Sequence, residues 1–158
     1  MSHACVFEFG DAPFKEDEYL LAEDLYDHEC ATLFMAMSDY ATDLTSEARS
    51  DVIDMLVEGS NGGLVREGDK LTLVSKKQLL IGRYRKFKTA VLNAASITAD
   101  EYCSSNGWFE KCFPVEEACI DRTWVRTDDN GTEGFVKFIR RHKDGDAFYV
   151  GGVIDYHY

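Results

Sequence analysis

Five carboxylates, Glu16, Asp17, Glu23, Asp24 and Asp27, stand near the N-terminus in a stretch, Lys15 to Ala41, that holds no glycine or proline. On one continuous α-helix, at 100° and about 1.5 Å per residue, they share an arc of about 120°, with Leu21, Ala22, Leu25 and Tyr26 roughly opposite. Their mean axial gap is then about 4 Å, comparable with the ~3.4 Å per phosphate of one DNA strand. Such a row can imitate a nucleic-acid backbone toward a basic protein; it is equally the solvated face of an ordinary helix.

Charge along the chain is segregated in the same sense. The 158 residues carry a formal net charge of −12. Up to residue 60 there are fifteen acids against two bases, Lys15 and Arg49, a net of −13, so the remaining residues, with fifteen bases and fourteen acids, sum to +1. Between residues 64 and 95 eight bases face only Glu67 and Asp69, a net of +6, and Arg83, Arg85, Lys86 and Lys88 form the densest basic patch. That segment suits nucleic-acid phosphates, or suits the acidic part of its own or a twin chain, which leaves homo-oligomers open. The overall negative charge argues against binding of free duplex DNA.

Other chemistry is thinner. Five cysteines, at positions 5, 30, 103, 112 and 119, include no C-x-x-C pair and are odd in number, so neither a closed disulfide framework nor a zinc knuckle is expected. His3 with Cys5 and His28 with Cys30 repeat one spacing, yet residues two apart on a helix point about 200° apart and cannot easily share a metal. No local signature singles out a nucleophile, and Gly59-Ser60-Asn61-Gly62-Gly63 lacks both the P-loop ending and dinucleotide spacing. No catalytic residue, metal or cofactor is assigned.

These residues need elements to hold them. Ala4 to Phe9 reads as an opening strand, Lys15 to Ala41 as one long helix or two, and Thr45 to Glu58 as another helix, stopped at Gly59. Leu64 to Val74 reads as a hairpin, and Leu80, Tyr84, Phe87 and Val91 form the stripe of an amphipathic helix over about 77–95, weakened by Gly82. Thr98 and Glu101 have capping-box spacing for a short helix. Ile120 to Thr127, Gly134 to His142 and Ala147 to Tyr158, joined by Asp128-Asp129-Asn130-Gly131 and Lys143-Asp144-Gly145-Asp146, read as a three-stranded antiparallel meander rich in aromatics.

The expected class is α+β: N-terminal helices, a central hairpin and amphipathic helix, and the C-terminal meander, in one domain over 1–158 with a sub-boundary at 59–63. Helix, loop and hairpin across 45–75 follow the helix-then-wing order of winged-helix readers, but Glu47, Asp51, Asp54 and Glu58 would repel DNA from the reading helix. No apolar stretch approaches the ~20 residues of a membrane span and no export signal precedes the first strand, so a cytoplasmic protein is expected. The leading expectation is a non-enzymatic inhibitor whose acidic helical face docks on a basic nucleic-acid-handling protein, in the manner of nuclease, antirestriction or anti-CRISPR inhibitors. The rival expectations are a small enzyme or ligand-binding domain with a pocket between the sheet and the basic helix, and a nucleic-acid-binding accessory protein using residues 76–88.

Overall fold

A computed structural model describes residues 3–26, 40–104, 107–119 and 122–157. Its centre is a seven-stranded mixed sheet, built from β1 (His3–Gly10), β2 (Tyr40–Asp43), β3 (Leu64–Glu67), β4 (Lys70–Leu73), β5 (Thr123–Thr127), β6 (Gly131–Gly134) and β7 (Ala147–His157). The order is β3-β4-β7-β1-β5-β6, with β2 also paired to β7; β1 and β5 run parallel and every other pair is antiparallel. The last strand is therefore central. Its first half pairs with β4 and its second half with β2, and it changes partner around Gly151 and Gly152, where the register with β1 also shifts.

Two glycines are needed at that shift because a Cβ at Gly151 would collide with the Glu8 carboxylate, and one at Gly152 with the backbone of Leu20. Glu8 accepts the N–H of Gly152 at 2.7 Å and of Leu20 at 2.9 Å, tying the chain after β1 back across the sheet.

Alternation along β1 gives the sheet two faces. Phe7 and Phe9 join Ile53, Leu64, Leu71, Leu73, Leu79, Val125, Phe135, Phe138, Phe148, Val150 and Val153 in the main core, under helices α2 (Ser46–Glu58), α3 (Lys76–Ala95) and α6 (Phe135–Arg141). Ala4 and Val6 face the other way and pack with Ala22 and Leu25 of α1 (Ala22–Tyr26), Ile154 and Tyr156. Helices α4 (Ala99–Cys103) and α5 (Gly107–Cys119) follow α3, and α5 packs along it. The class is α+β. Among the described residues no helix is long and apolar enough to cross a membrane.

Local signals account for most elements. Thr45 caps α2 by accepting the Ala48 N–H, Ser75 caps α3, and Thr98 and Glu101 form the full capping box of α4. Three expectations need correction. The described part of the run Lys15 to Ala41 is not one continuous helix: Glu16–Glu18 is a single 3-10 turn, Tyr19 is extended, residues 20–21 lie in no helix, α1 takes up Ala22–Tyr26, and Tyr40 enters β2, while 27–39 lie outside the described residues. Glu8 draws the Leu20 N–H and Arg49 lies 4.8 Å under the Tyr19 ring, so tertiary contacts override helix propensity there.

Gly134 to His142 is not a strand. Phe135, Phe138 and Ile139, at i, i+3 and i+4, are buried as a helical stripe, and Arg140 and Arg141 suit the negative end of that helix. The C-terminal third does supply three strands, but β5 and β6 form a hairpin and α6 then carries the chain to β7, beyond β1. The Leu64–Leu73 hairpin is no free wing either, because β4 pairs with β7 and makes it one end of the sheet.

Candidate functional site

The N-terminal carboxylates do not share a helical face. Glu16 and Asp17 lie exposed on the 3-10 turn, and Glu23 is exposed at the start of α1. The Asp24 carboxylate accepts the Leu21 N–H at 2.8 Å, and Asp43 accepts that of Ala22 at 2.6 Å, so both serve the start of α1. Asp27 lies outside the described residues, as do His28 and Cys30. With Tyr19 extended and residues 20–21 outside any helix, the periodicity that would align these acids is broken.

A regular row of acids does exist one element later. On α2, Glu47, Asp51, Asp54 and Glu58 are all exposed, and at 100° per residue they fall within an arc of about 60°. The opposite side of the same helix is buried: Ile53 enters the core, Val52, Leu56 and Val57 pack against it, and Arg49 is only 8% exposed. Arg49 donates through Nε to the Gly151 carbonyl (2.7 Å), through Nη2 to the Val150 carbonyl (2.6 Å) and through Nη1 to Asp69 (2.8 Å). Being about 200° from Glu47, it fixes which face of α2 turns inward and leaves the carboxylates no direction but outward. Arg66 reaches Asp54 at 2.8 Å and the Ser50 carbonyl at 2.9 Å, so one acid of the row is paired within the chain.

Between α2, α3 and the sheet lies a cavity of about 630 Å³. Val52, Met55 and Leu56 form one wall, and Leu79, Gly82, Arg83 and Lys86 the other. The floor follows from strand register. Cys5 stands beside Thr123 of β5 and Asp155 of β7, one row from Phe7, which stands beside Val125 and Val153. Apolar floor therefore gives way to a polar row along the strands. Burial, and secondarily the Asp155 charge, push the Cys5 thiol up to about 11, which keeps it protonated and a poor nucleophile. Arg122, from the approach to β5, adds a third cation to the lining.

The basic patch of the sequence is thus divided. Arg83 and Lys86 line the cavity, with the Arg83 guanidinium 5.5 Å from the Phe135 ring centre. Arg85 and Lys88 are exposed and lie about 140–200° around α3 from Arg83. Sequence reasoning missed Arg49 as the anchor of α2, although a lone base among acids, set opposite them at helical spacing, is a legible signal. It also missed Cys5, Thr123 and Asp155 as neighbours, since only the sheet order brings them together. Among the described residues no group of three or more His, Cys, Asp or Glu side chains could hold a metal ion.

Compared with known proteins, the chain matches no protein family, no curated protein and no solved structure.

Proposed function

We propose that this is a cytoplasmic, non-enzymatic binding protein that docks a carboxylate-rich surface on a basic nucleic-acid-handling protein and occupies the groove meant for phosphates. The observation that carries the reading is the row on α2. Glu47, Asp51, Asp54 and Glu58 stand exposed on a helix whose orientation is fixed from beneath by Arg49. Their axial gaps of about 4.5–6 Å make a sparser row than DNA's ~3.4 Å per phosphate, yet a continuous one. The turn bearing Glu16 and Asp17 contacts α2 through Tyr19 and Arg49, and with Glu23 and Asp24 it adds further acids ahead of the row in the chain. Charge of this density raises the association rate more than it holds the complex together.

The test starts with a pulldown from the native host, followed by association rates for the captured basic protein. Asp54 is paired with Arg66, so the variant Glu47→Lys, Asp51→Lys, Glu58→Lys leaves it in place. Association should slow about tenfold or more and lose much of its salt dependence, while melting changes little because exposed charges contribute only ~0.5 kcal/mol each. A parallel variant, Glu16→Lys, Asp17→Lys, Glu23→Lys, should have a smaller effect in the same direction. Association of the α2 variant at the parent's rate would overturn the reading, and so would capture of no basic partner.

A further inference from the structure

We propose that the cavity between α2, α3 and the sheet is a binding site for a single-chain amphiphile with one anionic head, of the fatty-acid type. At about 630 Å³ it lies within the ~300–1,000 Å³ typical of small-ligand sites. Its lining is divided as such a ligand is. Phe7, Val52, Leu56 and Leu79 offer apolar surface to a chain, and the floor turns polar only one row along the strands, at Cys5, Thr123 and Asp155. Among the described lining residues three are cations, Arg83, Lys86 and Arg122, and one is a carboxylate, Asp155.

The placement of the cations also matters. Arg83 and Lys86 are three residues apart on α3 and lie on the same side of it, and no acidic side chain among the described residues pairs with Lys86. A carboxylate held there gains a charge-assisted contact at a half-open site, while its chain displaces water from apolar walls. A small hydrophilic anion gains only the first of these, and a neutral alcohol only the second. The Cys5 thiol on its floor is held protonated, and the site is proposed for binding alone. It lies under the inner face of α2, opposite the outer carboxylates, and stands or falls independently of the docking surface.

Titration calorimetry of the full chain with dodecanoate, below its micelle concentration, tests the site against dodecanol, dodecylammonium and acetate. Dodecanoate should bind one to one, about tenfold or more tighter than dodecanol, with acetate and dodecylammonium showing no saturable binding. Leu56→Trp, which fills the cavity, should abolish binding. Because a bulky residue there also strains the core, Lys86→Glu, at an exposed position, provides the second arm: it should keep the parent's circular dichroism and weaken dodecanoate about tenfold while leaving dodecanol unchanged. Equal affinity for dodecanoate and dodecanol, multi-site binding, or an unchanged dodecanoate affinity in a folded Lys86→Glu variant would each overturn the proposal.

Discussion

The two helices that wall the cavity are held to the sheet by opposite means. In α2 a buried cation does it: Arg49 reaches two carbonyls of β7 and the carboxylate of Asp69 in the β3–β4 turn, and Ile53 fills the core beside it. Twenty-residue α3 buries only Leu79 and Ala90. Its hold is concentrated at the N-terminal end, where Lys76 Nζ donates to the His142 carbonyl at 2.7 Å, Asp144 accepts the Lys76 N–H at 2.7 Å, and Gly82 lies against Asn61. Farther along, Tyr84 and Leu92 are each 60% exposed, and α5 is the main partner. A helix pinned by directional bonds keeps a fixed face to solvent, whereas one held at an end can shift against the sheet. The wall bearing the carboxylate row should therefore be the more rigid one, and the wall bearing the cations of the cavity the more adjustable one.

Removing the pin is the strongest way to break this contrast. Arg49→Met should lower stability by about 3 kcal/mol, because it strips donors from the Val150 and Gly151 carbonyls and leaves Asp69 without its partner. Urea unfolding measures the loss. Hydrogen exchange should show it concentrated in α2 and the centre of β7, with α3 less affected. A loss under about 1 kcal/mol would mean that apolar packing, not the buried cation, orients α2.

The corresponding test on α3 has a smaller expected effect and a definite sign reversal. A Cβ at Gly82 would stand 2.5 Å from the Asn61 Cβ. Gly82→Ala gains about 1 kcal/mol of helix propensity but loses about 1–3 kcal/mol to overpacking, for a net loss of about 1 kcal/mol. Asn61 has a φ of 56°, a value glycine adopts without strain, so Asn61→Gly removes the obstacle at the loss of the Asn61 Nδ2 bond to the Gln78 carbonyl (3.1 Å). Combined with it, Gly82→Ala should become stabilising. If Gly82→Ala stabilises the chain by itself, α3 does not seat on the 59–63 loop and its N-terminal hold rests on Lys76 alone.

Gly82 also shows what the sequence could and could not reveal. As a helix residue it reads only as a weak point, and its use, a close approach to Asn61 in the loop before β3, belongs to tertiary structure. Elements whose signals are local were legible: the opening strand, Thr45 ahead of α2, the Leu64–Leu73 hairpin, α3, and the Thr98–Glu101 box. The stretch 19–21 was not, because Glu8 and Arg49 act on it from distant positions. Phe135 to Arg141 was legible in principle, but its aromatic and β-branched composition pointed to a strand while its i, i+3, i+4 spacing pointed to a helix. In the candidate sites, the charges were visible and their surroundings were not. Arg83 and Lys86 stood out as bases, but the floor of Cys5, Thr123 and Asp155 exists only because β7 and β5 flank β1.

The smallest expected effect lies at the far end of α3, where the chain turns through α4 into α5. The Glu101 carboxylate accepts from Lys111 of α5 at 2.7 Å and from the Thr98 N–H at 2.9 Å. The Lys111 bond first, and the Thr98 N–H second, lower its carboxyl from the ordinary 4.5 to about 2. Since the folded-state value lies below the unfolded one, this clasp contributes stability above about pH 4.5 and loses it as pH falls through about 2. An NMR titration should place the Glu101 midpoint well below the ordinary 4.5, and Lys111→Met should raise it more than Thr98→Ala, which removes only the hydroxyl. Trp108, at the start of α5 and 6.4 Å from the Tyr102 ring, should report the release by fluorescence, with Glu101→Gln giving part of the same change at neutral pH. If Glu101 instead titrates near 4.5 in the folded chain, α5 is not clasped to the end of α3. The adjustable wall is then freer than the contacts of α4 and α5 imply, and the contrast with α2 widens.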